Sequence, residues 1–131
     1  MKVLHVDDEQ DIRLITQLSL QIDGRFDVVS VDSGAAALDQ IEMEVPDLIL
    51  LDVMMPGMSG PDLRAILSKD RTLAKIPVIF MTAAARPETT QELMEIGAAG
   101  VIEKPFDPME LTVQVAEIFD RLSTSSNSVV A

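Results

Sequence analysis

Cysteine, tryptophan and tyrosine are all absent from the 131-residue sequence. Without cysteine, the chain has no disulfide, no thiolate nucleophile and no cysteine-based metal site. Without tryptophan or tyrosine, it lacks the rings that would stack on a flavin, which argues against a flavin carrier. Hydrophobic runs are short too, because no segment approaches the roughly 18 apolar residues that a membrane-spanning helix needs.

Basic residues are scarce as well. The chain has 10 Lys and Arg against 22 Asp and Glu, a formal net charge of −12, and a single histidine. This balance disfavours a nucleic-acid partner, whose phosphates need a basic surface, and equally an anionic membrane surface. The apolar run at residues 3–6 is too short for a signal peptide. We therefore expect a cytoplasmic, acidic protein of one domain, with no direct nucleic-acid partner and no membrane partner.

The sequence does contain a regular alternation of two patterns. Short runs rich in Val, Ile and Leu predict strands that are covered on both faces. They lie at residues 3–6, 48–51, 78–81 and, more weakly, 101–102. A fifth run at residues 28–31 is interrupted by Ser30 and predicts an edge strand.

Helical patterns separate these strands. Residues 34–43 follow Ser33 as a predicted N-cap, and Pro61, Pro87 and Pro108 are placed to open three further helices. Residues 11–22 carry an apolar stripe at helical spacing: Ile12, Ile15, Leu18 and Ile22. The last helix has the clearest stripe in the chain: Leu111, Val115, Ile118 and Leu122. We expect residues 1–122 to form one domain and the Ser-rich residues 123–131 to form a flexible C-terminal tail.

This order of strand and helix, repeated five times, predicts a doubly wound (βα)5 fold. Such a fold is a three-layer α/β sandwich, in which helices cover both faces of a parallel five-stranded sheet. In open sheets of this kind, ligands bind beyond the carboxyl ends of the strands. The residues at those ends are therefore the first candidates for a functional site.

Polar side chains stand at the ends of four predicted strands. Asp7 and Asp8 follow the first strand, Asp52 the third, Thr82 the fourth and Lys104 the fifth. Carboxylates that are brought together repel one another, so their convergence predicts a cation between them. Oxygen ligands of this kind suit Mg²⁺, which prefers one or two carboxylates, several waters and a phosphate oxygen.

Taken singly, each of these residues has a simpler interpretation. An Asp after a strand usually caps a helix or forms a turn, and Thr82 could be an N-cap. A Lys before a proline is normally a solvated loop residue, and we interpret His5, inside the first strand, as structural. The joint occurrence at four strand ends favours a functional site.

Four motifs together resemble the receiver domain of two-component response regulators, including the chemotaxis receivers. They are Asp7-Asp8, Asp52 followed by Met-Pro-Gly-Met-Ser-Gly at residues 55–60, Thr82-Ala83, and Lys104-Pro105-Phe106. The resemblance covers residues 2 to about 122. It implies a flavodoxin-like sheet with the strand order 2-1-3-4-5.

The resemblance also implies a mechanism for signal transduction. Asp52 would be the phosphoacceptor, taking a phosphoryl group from a histidine kinase or a histidine phosphotransfer protein. Mg²⁺ would be held by Asp8, Asp52 and the backbone carbonyl of Met54, with Asp7 acting through a metal-bound water.

Three further residues would complete the implied site. Lys104 would pair with Asp52 before transfer and with a phosphate oxygen afterwards, while the Thr82 hydroxyl and the Ala83 amide would donate to the phosphoryl group. The Lys104–Pro105 bond would be cis. Such a domain is not an enzyme on other molecules, since it catalyses only its own phosphoryl transfer and autodephosphorylation.

Phosphorylation would switch a protein-interaction face made of the fourth helix, the fifth strand and the fifth helix, on which a downstream protein binds. The protein would be a monomer or a phosphorylation-dependent dimer. The family usually has Tyr or Phe three residues before the Lys, where this chain has Val101. We therefore expect weaker coupling at that position, with the signal carried by the loop at residues 82–86 and by the fourth helix.

Three alternatives stay open on the residues alone. A phosphohydrolase with an Asp nucleophile and Mg²⁺ expects a second acid two residues after the nucleophile, where this chain has Met54. A flavodoxin-like cofactor carrier expects a hydroxyl-rich phosphate loop. A receiver-like docking module that works without phosphorylation would not need a complete acidic pocket.

Overall fold

The computed structural model describes residues 1–83 and 86–130, and side chains as far as Leu122; Ala84, Ala85 and Ala131 lie outside the described residues. Within this part of the chain, five strands alternate with five helices. The strands are β1 Lys2–Val6, β2 Asp27–Val31, β3 Leu48–Asp52, β4 Val78–Thr82 and β5 Gly100–Glu103. The helices are α1 Gln10–Asp23, α2 Gly34–Met43, α3 Gly60–Leu67, α4 Pro87–Glu95 and α5 Pro108–Val130, and a short 3₁₀ helix, Leu73–Lys75, precedes β4.

The strands form one parallel sheet in the order β2-β1-β3-β4-β5. This order confirms the doubly wound, flavodoxin-like architecture that the sequence predicts. β3 and β4 are buried at every residue, as continuous apolar runs require, whereas the edge strand β2 is buried only at Val28. The order changes direction between β1 and β3, so the crevice for a ligand opens beyond the ends of these two strands.

Alternate residues along the strands build two apolar layers, because successive side chains of a strand point to opposite faces of the sheet. Residues of β1, β3 and β4 pack with α2, α3 and α4 in the first layer: Leu4, Val6, Ile49, Leu51, Val78 and Phe80. Their neighbours along the same strands pack with α1 and α5 in the second layer: Val3, Leu48, Leu50, Ile79 and Met81. The predicted stripe of α5 lies in this second layer, where Leu111 and Val115 are fully buried.

Helix starts follow the local capping chemistry. The Ser33 hydroxyl accepts a hydrogen bond from the Ala36 N–H at 3.1 Å, which confirms the predicted N-cap of α2. α3 begins at Gly60, one residue before the predicted start at Pro61, because Ser59 and Asp62 form a reciprocal capping box.

The face of α1 that packs on the sheet is not its apolar stripe. The buried residues of α1 are Thr16, Ser19 and Leu20. Leu18 and Ile22, which belong to the predicted stripe, are 56% and 77% exposed. The Ser19 hydroxyl donates to the backbone carbonyl of Pro108, and the Thr112 hydroxyl donates to the Ser19 carbonyl at 2.6 Å. Small polar residues are buried here because α5 packs closely against α1 and supplies partners for their hydroxyls.

α5 is longer than the sequence pattern indicated. It continues to Val130, over most of the segment that we expected to be a flexible tail. No Gly or Pro follows Pro108 to end the helix. The domain boundary near residue 122 stays a prediction. Among the helices of the described residues, none has the length and apolar character needed to cross a membrane.

Candidate functional site

The polar residues singled out in the sequence meet at one edge of the sheet. Asp7 follows β1, Asp52 ends β3, Thr82 ends β4 and Lys104 follows β5. Asp52 is the register partner of Met81, and Thr82 is that of Glu103, so these strand ends lie side by side. Parallel strands with matched ends bring together side chains that are far apart in the sequence.

Three carboxylates form the centre of this site. Asp7, Asp8 and Asp52 each offer an oxygen, and these oxygens all lie within 4.8 Å of one another. Asp7 is fully buried, Asp52 is buried and Asp8 is exposed, so the cluster opens to solvent on one side. Hard oxygen ligands that remain open to water and to a phosphate oxygen fit Mg²⁺.

Lys104 supplies the positive charge within the cluster. Its ammonium lies 2.6 Å from Asp7 Oδ2 and 3.2 Å from Asp52 Oδ1. Burial lowers the pKa of Lys104, but the hydrogen bond and charge of Asp7, together with those of Asp52, outweigh burial and raise the pKa. Lys104 is therefore a protonated, buried cation. The contact with Asp52 is as expected, while the shorter contact with Asp7 is one that sequence reasoning missed.

Asp52 carries an unusual proton affinity for an aspartate. Burial, reinforced by the negative charge of Asp7, raises the pKa of Asp52 to about 6, against the opposing effects of Lys104 and of the Met54 N–H that donates to it. The cause is crowding of negative charge in a poorly solvated place. A divalent cation at the cluster would relieve this crowding and keep Asp52 ionised.

The backbone around Asp7 is also held in place. The Glu9 N–H donates to Asp7 Oδ1 at 2.9 Å, and the Arg13 guanidinium donates to the Asp7 carbonyl at 2.8 Å. Sequence reasoning missed Arg13, because no local pattern links the first turns of α1 to the end of β1. These bonds fix the direction in which the Asp7 carboxylate points.

The remaining predicted residues line the mouth of the site. One cavity of about 120 Å³ is lined by Glu9, Asp52, Met54, Thr82, Ala83 and Lys104. Thr82 is buried, whereas Ala83 is exposed and Met54 is 79% exposed. The Lys104–Pro105 bond is cis, as expected. The structure thus brings together every residue that the sequence singled out for this site.

A glycine lets α3 start directly behind the site. A Cβ on Gly60 would lie 2.3 Å from the backbone oxygen of Asp52, which no real Cβ tolerates. The Gly60 N–H donates to the Val53 carbonyl at 2.9 Å, which ties the start of α3 to the end of β3. This close approach explains why glycine stands at the end of the Met-Pro-Gly-Met-Ser-Gly segment.

Val101 occupies the position where an aromatic residue was expected. It is the register partner of Phe80 in β4, and its side chain is partly buried against the first apolar layer. A valine there fills space in the layer but has no ring to rotate.

A parallel 2-1-3-4-5 sheet with an aspartate triad and a buried lysine at its carboxyl edge defines the receiver class of signalling proteins. The sequence matches the family model of the response regulator receiver domain over residues 3–116, so the chain belongs to this family. Receiver domains are in general the phosphoacceptors of two-component systems, bind Mg²⁺ at an acidic pocket, and interact with histidine kinases and downstream effectors.

Individual relatives agree with this class. The chain is 32% identical to the chemotaxis response regulator CheY4 of Vibrio cholerae, with a TM-score of 0.82 over 89% of this chain and 97% of that one. It is 30% identical to the receiver domain of the Francisella response regulator 1452, with a TM-score of 0.81 over 92% and 98% of the two chains. It is 35% identical over 122 residues to the phosphate regulon transcriptional regulatory protein PhoB of Klebsiella pneumoniae, covering 93% of this chain and 53% of that protein. The chain spans about half the length of the curated relatives it matches.

Proposed function

We propose that the chain accepts a phosphoryl group on Asp52 from the phosphohistidine of a kinase or phosphotransfer protein. The observation that carries this proposal is the position of Asp52, whose carboxylate lies 3.2 Å from the Lys104 ammonium and lines an open cavity. An Asp52 oxygen attacks phosphorus, the new O–P bond forms, and the P–N bond to the donor imidazole breaks. The bonding electron pair returns to the imidazole nitrogen.

The same site fits Mg²⁺ as the resident metal. Three carboxylates against one ammonium leave an excess of negative charge that a divalent cation balances. Asp8, Asp52 and the backbone carbonyl of Met54 would hold the ion, with Asp7 acting through a metal-bound water. When bound, the ion neutralises negative charge on the phosphoryl oxygens during transfer.

The other residues of the cavity position the phosphoryl group. Phosphoryl transfer depends on in-line placement and on charge neutralisation more than on covalent help from the protein. The Lys104 ammonium moves from the carboxylates to a phosphoryl oxygen, whose negative charge it helps to neutralise. Thr82 donates its hydroxyl to another oxygen, and Ala83 donates its amide while its small side chain keeps the approach open.

Phosphorylation of Asp52 adds about −1.5 to −2 charges at pH 7, which draws Thr82 towards the pocket. We place the responding face on α4, β5 and α5, where a downstream protein binds. α4 is suited to move, because Leu93 is its one buried residue among those described. We propose that the domain works in the cytoplasm together with its phosphodonor, as a monomer or as a dimer formed on phosphorylation.

The relatives with transcriptional regulator names extend well beyond the part that this chain matches. Binding to nucleic acid for transcriptional regulation would depend on sequence outside the receiver. This domain has a formal net charge of −12, so it does not attract the phosphates of a nucleic acid by itself. We therefore propose a protein, and no nucleic acid, as the direct output partner of this domain.

Intact-mass spectrometry after treatment with acetyl phosphate and Mg²⁺ tests the proposal. The wild type should gain one phosphate, which is lost at alkaline pH as an acyl phosphate. Asp52→Asn should gain none, and the matched variant Asp39→Asn, on the exposed side of α2, should behave as the wild type. Equal phosphorylation of Asp52→Asn would reject Asp52 as the acceptor, and an unreactive wild type would favour the phosphorylation-independent docking module.

A further inference from the structure

His5 is a buried polar side chain that the phosphoryl-transfer chemistry does not use. It lies in the middle of β1 and is 0% exposed. Neither ring nitrogen has a hydrogen-bond partner among the residues that the structure describes. Buried polar atoms are paired in the great majority of cases, so an unpaired imidazole requires an explanation.

The closest charged group to His5 is the carboxylate at the centre of the site. His5 Nε2 lies 3.9 Å from Asp7 Oδ2, which is too long for a hydrogen bond. Burial lowers the pKa of His5 to about 4, against the opposing effect of Asp7, and Lys104 and Arg13 lower it further. The ring is therefore neutral at physiological pH, with one N–H donor and one acceptor nitrogen.

Two hydroxyl groups lie on the same side of the sheet as His5. Ser30 is the register partner of His5 in β2, and Thr16 is buried on α1, one turn before Leu20 of the second apolar layer. Both hydroxyl oxygens are buried without a hydrogen-bond partner among the described residues. A hydroxyl can donate to a ring nitrogen or accept from one, so either tautomer can be accommodated beside Nδ1. Only a ring with its proton on Nε2 can donate to Asp7 Oδ2, which lies on the Nε2 side.

Asp7 Oδ2, the oxygen nearest His5, is also the oxygen that holds Lys104 at 2.6 Å. In the proposed function, Lys104 leaves the carboxylates to contact a phosphoryl oxygen. Asp7 Oδ2 would then be a buried carboxylate oxygen without the lysine that neutralises it, and buried charges without a partner are strongly disfavoured.

We infer that His5 is a positioning residue, whose Nε2–H takes over from Lys104 as the donor to Asp7 Oδ2 in the phosphorylated state. This inference rests on the proposed function. The gap of 3.9 Å has to close by only roughly 0.7 Å to reach hydrogen-bond length. Donation by His5 holds the Asp7 carboxylate in the orientation that the metal site needs, as hydrogen-bond donors behind metal-binding side chains generally do.

Nuclear magnetic resonance of the wild-type imidazole tests the inference directly, since His5 is the only histidine in the chain. Long-range proton–nitrogen spectra report which ring nitrogen carries the proton, and the Nε2 proton shifts downfield when it is hydrogen-bonded. We expect a neutral Nε2–H ring in the metal-free protein, and a downfield shift with slower solvent exchange after Mg²⁺ and beryllofluoride are added. A ring protonated on Nδ1, or an Nε2 proton that stays unchanged, would overturn the inference.

Three substitutions separate hydrogen bonding from packing. The amide N–H of Gln reaches the place of Nε2, the amide of Asn reaches that of Nδ1, and Leu has no donor. With saturating beryllofluoride, His5→Leu and His5→Asn should raise the Mg²⁺ concentration for half-saturation by about tenfold. His5→Gln should stay within about threefold of the wild type, since it keeps the donor. If Gln were as weak as Leu, or if Leu matched the wild type, His5 would be a structural residue only.

The same spectra distinguish failure of this inference from failure of the proposed function. If the wild type neither binds beryllofluoride nor accepts phosphate, the proposed function is wrong and the inference fails with it. If the wild type binds beryllofluoride at Asp52 while His5 does not respond, only the inference is wrong. Asp52→Asn serves as the control, because it should remove the beryllofluoride-dependent shift of His5.

Discussion

The ammonium of Lys104 lies closer to Asp7 than to Asp52, at 2.6 Å from Asp7 Oδ2 and 3.2 Å from Asp52 Oδ1. One lysine, directly after β5, thus neutralises carboxylates at the ends of both β1 and β3. Lys104 is thus the cation that balances these carboxylates, and in the proposed function it is also the group that contacts a phosphoryl oxygen. Substitution of Lys104 should therefore lower the stability of the folded state, in addition to any effect on phosphoryl transfer.

We expect Lys104→Met to lower the free energy of unfolding of the metal-free protein by about 3 kcal/mol, because it leaves Asp7 as a buried carboxylate without its cation. Urea unfolding with a chelator measures the loss. Lys69→Met, at an exposed position, is the matched control and should change stability by less than about 0.5 kcal/mol. The double variant Asp7→Asn with Lys104→Met should regain part of the loss, and strictly additive effects would contradict the pairing.

Mg²⁺ should stabilise the folded wild type. A ligand that binds only the folded state at tenfold excess over its dissociation constant adds about 1.4 kcal/mol. Asp8→Asn should raise the melting temperature of the metal-free protein, because it reduces the repulsion within the aspartate triad, and should weaken the response to Mg²⁺. Thermal melts with and without millimolar Mg²⁺ check both effects, with Asp39→Asn as the control that keeps the wild-type response. A wild type indifferent to the ion would speak against the metal site.

The stability of the metal-free protein should depend on pH through Asp52. Burial and the charge of Asp7 raise the pKa of this carboxyl from 3.8 to about 6 on folding. A carboxyl with a raised pKa favours the folded state while it is protonated, so its contribution is present below about pH 4 and is lost as the pH rises through about 6. Asp52→Asn does not titrate. Its stability relative to the wild type should therefore increase between about pH 4 and pH 7 and then level off.

Urea unfolding at intervals of pH, with a chelator present, measures this difference between Asp52→Asn and the wild type. Asp39→Asn should show no comparable trend, because that position is exposed. A difference between Asp52→Asn and the wild type that is constant across the range would contradict the raised pKa.

Beryllofluoride binding should move α4 more than Val101. Leu93 is the one buried residue of α4 in the described part of the chain. Met94 is 48% exposed and Ile96, directly after the helix, is 45% exposed, so few contacts hold this helix in place. Valine has one stiff side-chain torsion and cannot report by rotation of a ring. Backbone resonances away from the pocket should therefore shift most between residues 83 and 96, and less at residue 101. Small shifts in α4 together with the largest shift at residue 101 would contradict transmission of the signal through α4.

Val101→Phe provides the matched comparison for this route. Val101 is already partly buried against the first apolar layer, so a ring there has apolar neighbours to pack with. We expect beryllofluoride to produce larger shifts in β5 and the first turns of α5 in this variant than in the wild type.

Much of the candidate site follows from the sequence, because topology places it. Continuous apolar runs predicted β3 and β4, and their carboxyl ends had to meet those of β1 and β5 in a parallel sheet. Asp7, Asp8, Asp52, Thr82 and Lys104 stand at those ends, so their convergence needed no tertiary contact to be foreseen. The periodicity of α5 was equally informative, since a helix packed on one side of a sheet must bury one stripe.

Tertiary structure decided the features that depend on which neighbours approach each residue. The apolar stripe of α1 is largely exposed at Leu18 and Ile22, because α5 packs against the small residues of α1 instead. Periodicity identifies the faces of a helix but not the neighbour of each face. Likewise, Lys104 lies closer to Asp7 than to Asp52 by less than an ångström. His5 is also less than an ångström too far from Asp7 for a hydrogen bond. Such differences arise from the packing of the whole sheet, which local sequence patterns do not encode.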